Sequence, residues 1–370
     1  MLTFSLSARA QSWTGAASAG GDVWLTPETF GHGFVLFDLR GRGVIGRGDF
    51  HALFNTDTLH VAVENVPLGR TPFQFSAAVR GEALIAGVLS DYVRDNRRVP
   101  ERGFYASYVY SYASLKWLPG GPHSVEVLAA GRRWFFGRQG ATSANLVLPP
   151  DAWVFEPRLR YTFWRVTSPG AEWDAHILFP RVTGFAAGVE LGLDLRSDTS
   201  PWGSVGAVTD TRNRPGDVIF SARQWLRAGA QLTPRVRVQL DENASWGEGE
   251  DDLTRVRVGG MNPYVVPVPG LAWPALLCER LLAGQVSVHV RPSLRHGHEF
   301  GALVAGGVFN DVRRTGGLDT FDAGGGVAAF GDLRFGRFQA YLRAGWAFPT
   351  AWLQEPPHFS ALVALGAKVF

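Results

Sequence analysis

The sequence predicts an all-β protein: a transmembrane antiparallel β-barrel of about 16 strands, with 18 possible. Aliphatic residues alternate with polar ones in many segments; in 189–196, Val and Leu alternate with Glu190, Asp194 and Arg196. Because successive strand side chains point to opposite faces, such a segment has one apolar and one polar face. The chain of 370 residues holds about 14–18 strands at roughly 20–25 residues per strand and connection. Its 45 Gly, 13 Trp and 25 Phe, with only 19% charged residues, fit turns and aromatic girdles.

The predicted strands follow one another along the whole chain, which we treat as one domain, 1–370. They are 12–25, 33–40, 47–54, 59–66, 73–80, 104–117, 124–135, 155–165, 173–179, 185–196, 218–232, 235–246, 253–258, 284–291, 299–309, 323–335, 338–348 and 358–370. An even number of strands is expected when both termini lie on the same side of the membrane. We therefore predict 16 wall strands, with one or two of these segments forming ribbons within loops.

The polar faces of these strands predict the residues that line the lumen. They are Glu190, Asp194, Arg196, Arg223, Arg227, Arg235, Arg237, Gln285, His289 and Arg343. The signs of charge are mixed, which favours a salt-bridged, partly closed interior over a strongly ion-selective channel.

The connections between the predicted strands fall into two length classes. Short joints occur at 55–57, 68–69 and 335–337, and long polar stretches at 90–103, 137–151, 197–217, 247–252 and 310–319. A barrel with one short-turn rim and one long-loop rim has this pattern. We assign the short joints to the periplasmic rim.

One long connection is unusually apolar. The segment 261–278, MNPYVVPVPGLAWPALLC, is uncharged and contains four prolines, which prevent a regular helix or strand. Its irregular backbone cannot lie in lipid, where donors and acceptors would be unsatisfied. We expect it to fold into or across the barrel mouth, since burying apolar surface is worth about 25 cal/mol per Å².

Other classes of protein fit less well. A soluble sandwich or propeller shares the alternation, but long strands such as 104–117 and the scarcity of Lys favour the barrel. The net charge of +3 comes from scattered Arg, so we expect no nucleic-acid partner. Cys278 is the only cysteine, which excludes an internal disulfide.

The sequence predicts no catalytic, cofactor-binding or metal site, and no enzyme activity. His296 and His298 are close enough to share a metal, but a solvated turn explains them better. His60 with Glu64, and His51 with Asp49, share strand faces without a nucleophile motif, and are explained as hydrogen-bonding partners in the lumen.

The start of the chain lacks the positive charge and apolar core of a signal peptide. An outer-membrane protein must be exported, so we expect a signal peptide or a periplasmic domain upstream of this sequence.

The segment Arg255-Val-Arg-Val-Gly-Gly260, the Pro-rich loop after it and the strand that follows resemble the bacterial surface antigen barrels of the Omp85 superfamily. In that family a strand ending in Gly-Gly leads into a loop that folds back into the lumen. Gly259, Gly260, Tyr264 and Trp273 would then belong to a plug loop. The family's Arg-Gly-aromatic loop tip and its periplasmic POTRA repeats are absent from this sequence.

The resemblance implies a bacterial outer-membrane protein concerned with protein insertion, secretion or anchoring. Its partners would be outer-membrane lipid and lipopolysaccharide, a client protein, and the barrel-assembly machinery, which would read a C-terminal signal at Phe370. The alternatives are a porin-like channel for small solutes and, third, a barrel-embedded hydrolase.

Overall fold

The protein is a closed antiparallel β-barrel of 16 strands, as seen in a computed structural model. The structure describes residues 12–25, 29–56, 58–82, 93–94, 97–166, 183–204, 213–259, 268–271, 276–295, 297–311, 321–348 and 358–369. Helical structure in these ranges consists of one 3-10 turn, Pro100–Arg102, and no helix there is long and apolar enough to cross a membrane.

The wall strands follow the predicted segments, except that the twelfth begins at Leu276 and not at residue 284. The strands are β1 Ser12–Leu25, β2 Thr29–Ile45, β3 Gly48–Asn55, β4 Thr58–Pro67, β5 Phe73–Glu82, β6 Phe104–Gly120, β7 His123–Arg138, β8 Trp153–Val166, β9 Gly184–Arg196, β10 Val218–Thr233, β11 Val236–Glu248, β12 Leu276–Val290, β13 Glu299–Asp311, β14 Asp322–Phe335, β15 Phe338–Ala347 and β16 Phe359–Lys368. The end of the predicted loop 261–278 was therefore wrong, because its last three residues follow the last proline and pair as strand with Val256–Val258.

Each strand pairs with its neighbours in sequence, and β1 pairs with β16 to close the barrel. The closing register runs from Ala16 opposite Lys368 to Leu25 opposite Phe359. Of the 18 predicted segments, 253–258 contributes only the short strand Val256–Val258, which pairs with Leu276–Cys278 at the start of β12. Segment 173–179 lies outside the described residues. The predicted fold and the preference for 16 strands are therefore confirmed.

Hydrophobic alternation determines which way the strands face. On β9, Val189, Leu191, Leu193 and Leu195 are 37–42% exposed on the outer surface, whereas Asp194 between them is only 7% exposed. The same contrast holds on β15, where Leu342 is 55% and Arg343 2% exposed. A continuous apolar outer surface with polar groups inside is the arrangement of a membrane barrel.

The two rims differ in the length of their connections. One rim carries the connections 46–47, 68–72, 121–122, 167–183, 234–235, 291–298 and 336–337, of which only 167–183 is longer than eight residues. The other rim carries 26–28, 56–57, 83–103, 139–152, 197–217, 249–275, 312–321 and 348–358, and all but the first two of these have ten residues or more. The joint 55–57 follows β3, which starts on the short-turn rim and therefore ends on the opposite one. Its sequence-based assignment to the short-turn rim was wrong, because the length of a joint does not show its side.

The interior has two apolar clusters with a polar region between them. The larger lies on β12–β16 and includes Leu281, Leu303, Phe309, Ala328 and Leu362. The smaller joins β6–β8 to two long connections through Phe104, Trp134, Val154, Leu146 and Trp202.

Candidate functional site

The polar part of the lumen is the candidate site. The inner faces of β5–β11 and the segment 253–257 enclose a cavity of about 510 Å³. Its charged lining consists of Arg80, Glu82, Arg132, Glu156, Arg158, Arg160, Glu190, Asp194, Arg223, Arg255 and Arg257.

A chain of ion pairs crosses β7, β8 and β9 on the cavity wall. The Glu156 carboxylate accepts hydrogen bonds from Arg132 Nη2 at 3.1 Å and Arg158 Nη2 at 3.0 Å. Arg158 also pairs with Asp194 on β9 and donates to Ser221 Oγ on β10 at 2.9 Å. Glu156 is only 2% exposed, so its charge depends on these two guanidinium groups.

Arg160 is the next residue on the same face of β8, and it adds two further ion pairs to this wall. Arg160 pairs with Glu190 at 2.5 Å and with Glu126 on β7 at 3.2 Å. Glu126 in turn accepts a hydrogen bond from Ser114 Oγ at 2.6 Å. The wall is thus cross-linked between strands by pairs of opposite sign.

A second network lies towards the short-turn rim, on β11–β13. The Glu299 carboxylate is 2.7 Å from Arg237 Nη2, 2.5 Å from His289 Nδ1 and 3.1 Å from Arg291 Nε. Ser287 Oγ lies 2.9 Å from the other ring nitrogen of His289. These five polar groups thus form one connected network on the inner wall.

Asp241 organises a third set of contacts one step along β11. It accepts hydrogen bonds from Gln239 at 2.9 Å and Gln285 at 3.2 Å, and pairs with Arg227 at 3.3 Å. Two of its partners, Arg227 and Gln285, are among the residues that the sequence predicted in the lumen.

The first part of the β11–β12 connection is fixed by one fully buried carboxylate, Asp251. Its oxygens accept two hydrogen bonds from Arg196, at 2.8 and 2.9 Å, and one from Trp202 Nε1 at 2.9 Å. Thr254 donates to it through its hydroxyl, at 3.0 Å. Burial alone would raise the pKa of Asp251, but the Arg196 guanidinium and these hydrogen bonds outweigh burial and lower the pKa.

Glu250, in the same segment, is a buried carboxyl group whose pKa is raised and not lowered. Glu250 is 5% exposed, and its Oε2 atom has no hydrogen-bond partner among the described residues. Burial, with a smaller contribution from nearby Glu279, raises the pKa of Glu250 to about 8 despite the opposing effect of Arg223.

The later part of the connection, Val268 to Leu271, lies against the inner wall at the long-loop mouth. Val268 and Leu271 are 1% exposed, and Gly270 N–H donates to Ser360 Oγ on β16 at 3.0 Å. A Cβ atom on Gly270, whose φ is +82°, would lie 2.1 Å from Ala347 N and 2.3 Å from His358 O. We call 268–271 the plug segment.

The plug segment fits because the wall beneath it is built from small residues. Cβ atoms added at Gly326 on β14 and Gly345 on β15 would lie 2.5 Å from Pro269 O and 2.7 Å from Pro269 Cβ. Burying Val268 and Leu271 stabilises this seat by about 1.5–3 kcal/mol for each side chain.

The structure places the ten predicted lumen residues in different settings. Glu190, Asp194, Arg223, Arg227, Arg237, Gln285 and His289 lie on inner faces, Arg196 reaches the connection, and Arg343 is buried beside Tyr341 on β15. Arg235 instead lies exposed in the two-residue turn between β10 and β11. Gly259 follows the short strand Val256–Val258 and has a φ of +104°. Gly260, Tyr264, Trp273 and Phe370 lie outside the described residues.

Sequence reasoning missed several of the central groups. Glu156, Arg158 and Arg160 alternate with outward residues on β8, so the strand pattern could have identified them. Asp251 has no such signal, because it lies in the acidic stretch 248–252 outside any periodic segment.

Comparison with known proteins places this architecture in a class. No known family model matches the chain, and no curated protein matches it. BamA from Haemophilus ducreyi lacking POTRA domains 1–3 aligns over 96% of this chain and 70% of that one, with a TM-score of 0.59 and 8% identity. CdiB from Escherichia coli aligns over 95% of this chain and 62% of that one, with a TM-score of 0.59 and 12% identity. CdiB from Acinetobacter baumannii aligns over 96% of this chain and 60% of that one, with a TM-score of 0.54 and 10% identity.

This 16-stranded barrel thus has the fold of the BamA and CdiB barrels, which are outer-membrane proteins. It spans less than two thirds of the length of the CdiB chains. The resemblance to the Omp85 superfamily predicted from the sequence is confirmed at the level of fold.

Proposed function

We propose that this barrel lies in a bacterial outer membrane and handles other polypeptide chains there, by inserting, secreting or anchoring them. The observation that carries the proposal is the β11–β12 connection, which turns back into the lumen and seats its plug segment on the inner wall. A barrel closed by one of its own loops is poorly suited to steady diffusion of solutes. It is suited to a function in which opening is coupled to a partner.

The seat of the connection supports this view because it has two independent attachments. Asp251 fixes the first part to β9 through Arg196, and the plug segment fixes the later part to β14–β16. Its partners would be the client chain, outer-membrane lipid and lipopolysaccharide, and the assembly machinery that inserts the barrel itself. We propose no enzyme activity.

Deletion of the gene, with quantitative comparison of the outer-membrane and secreted proteins, tests the proposal. Complementation should use the wild-type chain and a variant whose residues 260–275 are replaced by a short Gly/Ser linker, which leaves β12 intact. We expect specific outer-membrane or secreted proteins to disappear on deletion and to return with the wild-type chain. An unchanged protein inventory together with reduced uptake of small solutes would contradict the proposal.

A small-solute channel is the second candidate, favoured by the cavity itself. Arg132 lies over the rings of Tyr108 and Tyr110 at 4.9 and 5.4 Å, beside further arginine and carboxylate groups. Aromatic and charged groups that share a wall can bind polar solutes. Swelling of vesicles that contain the refolded chain, in iso-osmotic sugar solutions, would detect such a channel.

A further inference from the structure

Three side chains of the types that bind metal ions in proteins come together on the inner wall outside the charged cavity. His51 lies on β3, and His60 and Glu64 lie on β4. His51 pairs across the strands with Ala62, which lies between the other two, so the three side chains surround one point. One ligand atom from each lies within 4.8 Å of the others. We propose that this cluster binds a divalent transition-metal ion of the zinc type.

The donor set matches that chemistry. Two imidazoles and one carboxylate form a three-ligand zinc site with a fourth position left for water, and here that position would face the lumen. Bonds of about 2.0–2.2 Å place tetrahedral ligand atoms roughly 3.3 Å apart. Side-chain movements of about 1 Å would therefore bring the three atoms onto one ion, which is within the reach of half-buried side chains.

An unsatisfied nitrogen at the same point is a second observation. His60 Nδ1 is buried and has no hydrogen-bond partner among the described residues. A buried imidazole nitrogen without a partner loses the hydrogen bond it would make to water. Coordination of a metal by the His60 ring would offset that cost.

The surrounding charges tolerate a dication. Asp38 Oδ1 lies 3.1 Å from His51 Nε2, where it can orient the ring or compensate charge. The two neighbouring cations already have carboxylate partners: Arg40 pairs with Asp38 at 2.9 Å and Arg80 pairs with Glu82. Their repulsion of a bound ion is therefore reduced.

Cobalt binding by the tag-free, refolded and chelator-treated chain tests the site. Tetrahedral Co²⁺ absorbs visibly, so titration reports both stoichiometry and geometry. We expect one equivalent in the wild-type chain. His60→Asn and Glu64→Gln should abolish the absorption, and Asp38→Asn should weaken binding roughly tenfold. The heat-dependent shift of each variant on a gel shows whether it has folded. His60→Asn changes an imidazole and Glu64→Gln changes a carboxylate, so the two variants test the site independently.

Two control variants remove histidines elsewhere. His123→Asn changes a ring that contacts the Tyr161 hydroxyl at 2.8 Å, and His298→Asn removes one member of the close pair 296–298. Both should bind Co²⁺ as the wild-type chain does. Zn²⁺ should also raise the melting temperature of the wild-type chain but not of His60→Asn. Absence of the wild-type absorption, its survival in His60→Asn and Glu64→Gln, or its loss in either control would overturn the proposal.

Discussion

The β11–β12 connection is attached to the barrel at two places, once through charged and polar groups and once through apolar packing. Asp251 is a fully buried charge held by Arg196, Trp202 and Thr254. The plug segment has no charged side chain and rests on Gly326 and Gly345. The polar attachment is stable only when every hydrogen-bonding partner of the buried charge is present. The apolar attachment depends only on the steric fit between the plug segment and the wall. We therefore expect the first to be sensitive to charge and pH, and the second to added volume.

The polar attachment should give the largest effect. Asp251→Ala leaves the buried Arg196 without its carboxylate, which costs about 3–5 kcal/mol when one partner of a buried pair is removed. Because the pKa of Asp251 is lowered in the folded chain, its carboxylate stabilises the fold above the unfolded pKa of about 3.9. That contribution is lost as pH falls through the lower folded pKa.

Urea unfolding in lipid vesicles at several pH values measures this effect. Asp198→Ala is the matched control, since Asp198 is exposed and its carboxylate accepts from the Ser200 N–H at 2.8 Å. Equal unfolding midpoints for the two variants would show that the polar attachment does not stabilise the barrel.

The apolar attachment is tested by volume. Gly270→Val places side-chain atoms into the backbone of Ala347 and His358, so the plug segment should leave its seat. Single-channel recordings in a planar bilayer should change from silence or flicker to steady conductance.

Gly336→Val separates steric overlap from backbone strain. Gly336 also has a positive φ, +61°, but nothing lies within 4 Å of an added Cβ atom. This variant should record as the wild-type chain does. If both variants conduct alike, or both stay silent, the plug segment is not what closes the barrel.

A smaller effect is expected from the cavity wall, where charge is shared among several groups. Glu156→Gln removes the negative charge between Arg132 and Arg158 while retaining size and polarity, at a cost of about 1–3 kcal/mol. In the Gly270→Val background, the reversal potential in a KCl gradient should shift towards anion preference. Glu101→Gln, the same change at an exposed residue, should leave the potential unchanged.

Glu250 should have an effect on stability that appears only as pH rises. The pKa of about 8 in the folded chain exceeds the ordinary value of about 4.3. The protonated carboxyl group therefore contributes stability that is fully present below the ordinary value and is lost as pH rises through about 8. Melting temperatures of the wild-type chain should fall between pH 5 and 8 relative to those of Glu250→Gln. Parallel profiles would place Glu250 in contact with water.

The strands and their facing were predictable because they follow from neighbours in sequence. An outward Leu191 beside an inward Glu190 requires only the two-residue period of a strand. Arg235 shows the limit of this rule: it continues the inward phase of Arg237 but lies in a turn, where the period no longer applies.

The attachments of the connection were not predictable, because they depend on distant pairings. Asp251 meets Arg196 across 55 positions, and no local pattern marks either as the other's partner. Gly326 and Gly345 fit a strand bend as well as a docking surface. His51 and His60 come together only through the β3–β4 register, which is why the sequence predicted no metal there.

The pairing of β1 with β16 bears on how the molecule is made. Ala16 and Lys368 lie opposite each other although 352 positions separate them. Joining such distant segments costs about 2.5 kcal/mol more chain entropy than closing a loop of roughly 20 residues. Until this last pairing forms, two unpaired strand edges face the membrane, where each unmet backbone group is expensive. Assembly should therefore be limited by ring closure, and a chain shortened within β16 should fail at that final step with its other hairpins already formed.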